Sequence, residues 1–265
     1  MHKGGRHLFT HLYPNFNKGR ILKTDMLANL RDYPRDFLDI QYKDYSDGII
    51  SGSDVRIGAQ SISITPGIVK HSGRLYLLKE EHELMYQANN RETLVKIRFH
   101  EQLTENDFTI NRSEIVLDEQ VELGHNELEL GRFKLKEGAK LRSEYQSFVD
   151  LATEYNTFIT IYVPYASETH STLAPAIMRY FARELVNGTN LTAFDISFAL
   201  LCLNEGTVNR EVILTYLANR LGTGFKEYSN GQIHKYLGRI LDEVRGGGKA
   251  RADMRQGGLH RMIVD

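Results

Sequence analysis

Tyr45-Ser46-Asp47-Gly48-Ile49-Ile50-Ser51-Gly52, Asp54-Val55-Arg56-Ile57, Ser61-Ile62-Ser63-Ile64-Thr65-Pro66-Gly67-Ile68-Val69 and Gly73-Arg74-Leu75-Tyr76-Leu77-Leu78 decide the fold class. Apolar and polar residues alternate with period 2 through these runs, and Gly or Pro-Gly interrupts them. Alternation places every second side chain on one face of a strand, and the glycines supply the turns. The runs therefore predict a ladder of short antiparallel hairpins with one buried face. Such a ladder brings no nucleophile, metal cluster or phosphate loop with it, so it points to a scaffold before it points to a chemistry.

Further strands are predicted over Glu92–Gln102, Phe108–Leu117 and Glu127–Leu135, which makes residues 45–143 a β-rich domain. Residues 1–44 read as an arm and a helix. The arm, to about residue 22, sets Leu8, Phe9, Leu12, Tyr13 and Phe16 among His, Gly, Asn and basic residues, and these apolar groups are expected to dock on a neighbour. A helix is expected from Thr24, with Thr24 as its N-cap and Pro34 breaking or kinking it before a second piece, Arg35 to Tyr42.

Residues 144–245 read as mostly helical. Tyr145, Phe148 and Leu151, three apart, predict a helix over Glu144–Tyr155, and Phe158–Val163 reads as one more strand. Four helices follow. The first holds Ile177, Met178, Phe181 and Leu185. The second, Thr192–Leu203, is apolar nearly all round and is expected to be the buried one. The third holds Val212, Ile213, Tyr216 and Leu217. The fourth sets Ile233, Tyr236, Leu237, Ile240, Leu241 and Val244 at i, i+3, i+4, i+7, i+8 and i+11. Short glycine-punctuated joins imply an antiparallel bundle. Residues 246–265 read as a flexible basic tail containing Arg251, Arg255 and Arg261. The fold class is α+β: an N-terminal arm and helix, an antiparallel β-rich middle and a C-terminal helical bundle.

At 265 residues the chain is long enough to bury a real core. Its net charge of -1 argues against a global attraction to nucleic acid or anionic lipid. The single cysteine, Cys202, follows the apolar run Phe198–Leu201 and reads as a buried, inert thiol. Lys3, Arg6, Lys18 and Arg20 enclose no apolar core, so no secretory signal is expected, and no stretch approaches the ~18 apolar residues of a membrane span. The triplets beginning at Asn111, Asn187 and Asn190 match glycosylation acceptors, and without a signal they read as coincidences.

Candidate chemistry is sparse. His7 and His11 would share a helix face, but Gly4-Gly5 separates His2 from them and no Cys or acid is close, so no metal is assigned. Asp32, Asp36 and Asp39 interleave with Arg31 and Arg35 and read as a solvated, salt-bridged face. Asp44–Gly48 lacks the acid spacing of a calcium loop and reads as a turn. Gly246-Gly247-Gly248-Lys249 follows a helix and has no Ser or Thr after the lysine, so it is not a phosphate loop. No G-x-S-x-G, H-E-x-x-H or G-x-G-x-x-G occurs. The expectation is a protein without catalytic function and without a cofactor. Two alternatives stand beside it: an enzyme with scattered catalytic residues, and a DNA-binding regulator. The second comes from Thr207–Gly222, which has the look of a helix-turn-helix element. Arg210 and Arg220 there face only Glu211 and the domain is not basic, which favours helix packing and makes nucleic acid an unexpected partner.

Two stretches carry a resemblance: Asn15–Leu22 running into Leu30-Arg31-Asp32-Tyr33-Pro34 and then Asp44–Gly52 with its Gly-Ile-Ile-Ser-Gly, and Ile62–Leu78 with Thr65-Pro66-Gly67 and Gly73-Arg74-Leu75-Tyr76. Together they resemble the N-terminal attachment regions of phage tail and baseplate proteins, with Thr65 where Ser is commoner. The chain also resembles proteins of Gram-positive prophage or contractile-injection clusters, a group often given helicase-type names that nothing in this sequence supports. The resemblance implies a baseplate or fibre-adaptor subunit with other tail or baseplate subunits as partners. It implies a homo-oligomer in a symmetric particle, made in the cytoplasm and then assembled. Leu8, Phe9, Tyr13, Phe16, Arg251, Arg255 and Arg261 are the expected assembly contacts.

Overall fold

Period-2 alternation becomes strands along the ladder. The computed structural model describes residues 9–246, and the chain divides between Asp44 and Tyr45 into two compact units. In the first, α1 spans Thr24–Gln41 after an extended arm. In the second, β1 (Gly48–Gly52), β2 (Val55–Ile57), β3 (Ser61–Ile64), β4 (Gly67–His71), β5 (Arg74–Leu78), β6 (His82–Met85), β7 (Glu92–Phe99), β8 (Leu103–Thr104), β9 (Thr109–Ile110), β10 (Ser113–Asp118) and β11 (Glu127–Lys134) precede α2 (Pro175–Val186), α3 (Ala193–Asn204), α4 (Arg210–Leu221) and α5 (Asn230–Val244). The fold is the expected α+β class.

The strands form antiparallel sheets ordered β1-β4-β5, β2-β3-β6 and β10-β7-β11, with β8-β9 a small hairpin. Their apolar faces meet in one core, where Ile49, Ile62, Ile64, Val95, Leu130 and Phe133 are buried. Central strand β7 is buried on both faces, so Lys96 is enclosed as well as Val95 and Ile97. Lys96 Nζ lies 2.8 Å from Glu127 Oε2 and 3.0 Å from Asp118 Oδ2, and Arg98 Nε donates to the other Glu127 oxygen at 3.0 Å. Burial pulls the Lys96 pKa down, but the two carboxylates outweigh it and hold the ammonium charged.

A β-bulge between Glu129 and Gly131 re-aims β11. Gly131 has φ +149°, and a Cβ there would lie 2.4 Å from the Phe158 ring. The aromatic ring occupies the space that a side chain at position 131 needs.

Residues 144–163 depart from expectation. Glu144–Tyr155 holds only a 3₁₀ turn, Val149–Ala152. Asp150 accepts both Arg142 Nη groups at 2.6 and 2.7 Å, the Gln146 amide at 2.9 Å and the Thr153 hydroxyl at 2.6 Å. Those bonds replace a helical ladder, and Asn156, with φ +61°, turns the chain away. Phe158–Val163 is not a strand. It pairs only through isolated bridges such as Arg132 to Ile159, and a turn in which the Val163 amide bonds the Thr160 carbonyl breaks the pleat; Phe158 and Val163 enter the sheet core, Ile159 and Ile161 the helical one.

Two further expectations are corrected. α1 runs unbroken through Pro34, and its N-cap is Lys23 rather than Thr24. Pro34 removes one hydrogen bond of the helix, which still runs on through it with no side chain buried. α3 is not the buried helix. It buries Asp195, Phe198, Ala199 and Cys202 but exposes Phe194, Ile196, Leu200, Leu201 and Leu203. The deeper helices are α2 and α5, whose apolar residues lie on one stripe each. His234 of α5 stacks on Phe148 with its Nε2 2.8 Å from the Phe148 carbonyl oxygen, and burial lowers its pKa.

Substituting Gly131→Ala forces the new methyl group against Phe158, and overpacking of this kind costs about 1–3 kcal/mol. The expected outcome is a lower urea midpoint with an unchanged slope. A midpoint equal to wild type would show that the ring gives way freely.

Candidate assembly interface

Among the described residues, the arm presents exposed apolar groups. Phe9 is fully exposed, and Leu12, Tyr13, Phe16, Ile21 and Leu22 are all largely exposed. A turn at Asn17–Arg20, closed by the Arg20 amide on the Asn17 carbonyl at 3.1 Å, uses Gly19 in the left-handed region. Of the expected contacts, Phe9, Tyr13 and Phe16 sit together on this arm. Leu8, Arg251, Arg255 and Arg261 lie outside the described residues, as do His2 and His7.

α1 extends the same surface. Leu27, Leu30, Tyr33, Phe37, Leu38 and Ile40 are exposed along it. Met26, Leu30, Tyr33, Phe37 and Ile40 recur at spacings of 4, 3, 4 and 3, the period of a helix seam that meets a partner. The expected division at Pro34 would split this seam in two; the unbroken helix joins both parts. The polar side carries ion pairs: Arg31 to Asp32 at 2.6 Å, and Arg35 to Asp32 at 3.4 Å and to Asp36 at 3.8 Å.

The second uncovered apolar surface belongs to α3 and α4. A groove of about 480 Å³ runs between them, lined by Phe194, Phe198, Leu201, Val212 and Tyr216, with Glu211 also on its wall. One buried carboxylate sets its shape. Asp195 Oδ2 accepts the Thr192 amide and hydroxyl, each at 2.8 Å, in a capping box. Its Oδ1 accepts the Tyr216 hydroxyl at 2.7 Å and Arg220 Nε at 2.9 Å. The Tyr216 ring in turn stacks on Phe198 at 3.8 Å. Burial alone would raise the Asp195 pKa. The hydrogen bonds from Thr192 and Tyr216, with the Arg220 charge, outweigh it and hold the carboxyl below its ordinary range.

Other candidates resolve into structure. Arg210 is spent on the Asn230 side chain at 2.8 Å and on the Ser171 and Tyr228 carbonyls, and Arg220 on Asp195 and Glu243. Neither arginine of the helix-turn-helix-like segment is therefore free for a phosphate. Asp47 accepts the Ser72 amide at 2.9 Å and faces His71 Nδ1 at 3.5 Å, closing a turn. Cys202 is buried, and burial pushes its thiol up to about 12. A cleft of about 770 Å³ near β5 and β10 has an apolar floor of Ile64, Val69 and Ile97, with Arg74, His82 and Glu114 on its walls. Among the described residues no group of three or more His, Cys, Asp or Glu is placed to hold a metal, and no helix is long and apolar enough to cross a membrane.

No protein-family profile matches the chain, and no curated protein does. Among solved structures, the chain is similar to the crystal structure of TssK at 10% identity and a TM-score of 0.40, over 90% of this chain and 72% of that one. It is also similar to a chain of the TssK-TssF-TssG baseplate subcomplex of the type VI secretion system, determined by cryo-electron microscopy. That match has 9% identity and a TM-score of 0.37, over 89% of this chain and 100% of that one. The likeness is one of coarse fold.

Asp195→Ala strands the Tyr216 hydroxyl and the Arg220 charge in the interior, and loss of one partner from such a group costs about 3–5 kcal/mol. The pH dependence follows from the lowered folded-state pKa. The unfolded chain binds the proton more readily, so the Asp195 contribution is complete above the unfolded carboxyl value near ~4 and is lost as pH falls through the folded value. Urea midpoints between pH 6 and pH 2 should fall less steeply in Asp195→Asn than in wild type. Parallel curves would remove Asp195 from the acid response.

Proposed function

We propose that this protein is a structural subunit of a phage-tail-like, contractile-injection particle, at the baseplate or as a fibre adaptor, and that it acts through protein–protein contacts and performs no catalysis. The observation that carries the reading is the N-terminal unit. It joins an arm with five large exposed apolar side chains between Leu12 and Leu22 to an 18-residue helix without one buried side chain. Most helical stability in proteins comes from packing an amphipathic face, and α1 has no buried side chain of its own. A contiguous apolar surface of this kind marks an interaction site, and each large apolar side chain removed from water contributes about 1.5–3 kcal/mol before the costs of association.

The resemblance of Asn15–Leu22, Asp44–Gly52 and Ile62–Leu78 to tail and baseplate attachment regions supports the choice of particle. The internal commitment of Arg210 and Arg220 favours assembly over DNA binding. In this reading the β-rich and helical parts are the rigid body, the arm and α1 are the attachment device, and the partners are other baseplate subunits and further copies of the chain.

Deleting residues 1–20 should leave a cooperatively melting core with an unchanged near-ultraviolet circular dichroism spectrum and abolish incorporation. The check is co-expression with the rest of the gene cluster, followed by density-gradient sedimentation of the particles. A truncated chain that still sediments with them would refute the attachment role of the arm.

A further inference from the structure

The groove between α3 and α4 and the arm are two uncovered apolar surfaces with opposite charge. From Phe9 to Lys23 the arm carries Lys18, Arg20 and Lys23 and no acid. None of the three cations makes an ion pair among the described residues. Glu211 stands on the groove wall, and Glu205 lies in the connection from α3 to α4. Both are exposed, and neither makes an ion pair among the described residues. The nearby arginines do not cancel them, because Arg210 and Arg220 are held by internal partners. The groove is therefore apolar with a net negative margin, and the arm is apolar with a net positive one.

The two surfaces also match in kind. The groove is faced with aromatic and branched side chains, Phe194, Phe198, Leu201 and Val212, held in place from behind by the stack of Tyr216 on Phe198 and by Asp195. The arm offers Phe16, Ile21 and Leu22 on either side of the Gly19 turn, a compact cluster rather than a long strand. Residues 12–23 lead directly into α1, an 18-residue helix about 27 Å long at 1.5 Å per residue, and the His11 ring of the arm meets Tyr33 on it.

We propose that residues 12–23 of one copy dock in the α3–α4 groove of a second copy. The apolar cluster fills the groove, and Lys18, Arg20 and Lys23 supply the positive charge that faces Glu211 on its wall. The inference rests on the assembly reading and names one partner for the arm. Because the two surfaces differ, the contact is head-to-tail, and repetition gives a ring or an open chain according to the rotation between copies.

The test uses the full-length chain in sedimentation velocity. Phe16→Asp keeps the groove and disables the arm; Val212→Asp keeps the arm and disables the groove. Each alone should weaken self-association at least about tenfold, and an equimolar mixture should form a one-to-one complex. Glu211→Lys should weaken association too, and recover it when mixed with a Lys18→Glu, Arg20→Glu chain. It also replaces Val212→Asp should that variant lose its cooperative melt.

The proposal is overturned by a wild-type chain that stays monomeric at every concentration, by association that ignores Phe16→Asp, or by a mixture that fails to complement. A failed mixture together with loss of incorporation on deleting residues 1–20 would place the arm's acceptor on a different subunit, leaving the assembly reading standing and this inference wrong.

Discussion

A single carboxylate organises the helical half of this protein. Asp195 sits at the start of α3, closes that helix's N-terminus through Thr192, and accepts hydrogen bonds from two residues of α4, Tyr216 and Arg220. Arg220 in turn reaches Glu243 of α5. The buried anion joins α3 to α4, and Arg220 carries the tie on to α5; the carboxylate tolerates its surroundings because its oxygens have partners. The same contacts leave the outer side of α3 bare. Tyr216 is pinned flat against Phe198, and that pair forms the floor of the groove. The fixed interior is what gives the exterior a defined shape.

The β-rich half meets the same problem differently. Its central strand is covered on both faces, so its charged residues are either neutralised in place or excluded. Lys96 of β7 is neutralised by Glu127 and Asp118, and on neighbouring β11 the buried Glu129 is neutralised by Arg132. Phe158–Val163 passes between this sheet and the helices and gives side chains to each. Ile159 and Ile161 keep the period of a strand, but Val163 goes to the other core, and the turn closed by the Val163 amide on the Thr160 carbonyl makes that change of side.

The ladder was legible because two independent signals agreed there: alternation named the strands and glycine named the turns, as at Gly52, where φ is +63° and a Cβ would sit 2.1 Å from the Pro66 carbonyl oxygen. The arm was legible because apolar residues in a stretch with no helical or strand period have no core to join. Glu144–Tyr155 misled because a three-residue spacing fits a 3₁₀ turn as well as a helix, and because the four bonds to Asp150 are invisible in a hydrophobic pattern. α3 misled for a deeper reason. A helix apolar all round satisfies equally the rule for a buried helix and the rule for a helix with one side packed and the other awaiting a partner. The groove could not be read at all, since its wall pairs residues of α3 with residues of α4 and its shape depends on Asp195 meeting Tyr216 and Arg220 more than twenty positions away.

Cys202, the chain's lone thiol, lies in the interior with its reactivity suppressed by burial. The outer surface is consequently silent toward maleimides and other thiol-directed dyes. A cysteine introduced at one chosen position would be the sole reactive site, so fluorophores or spin labels can be set on the arm or the groove without first removing a native residue that helps pack α3.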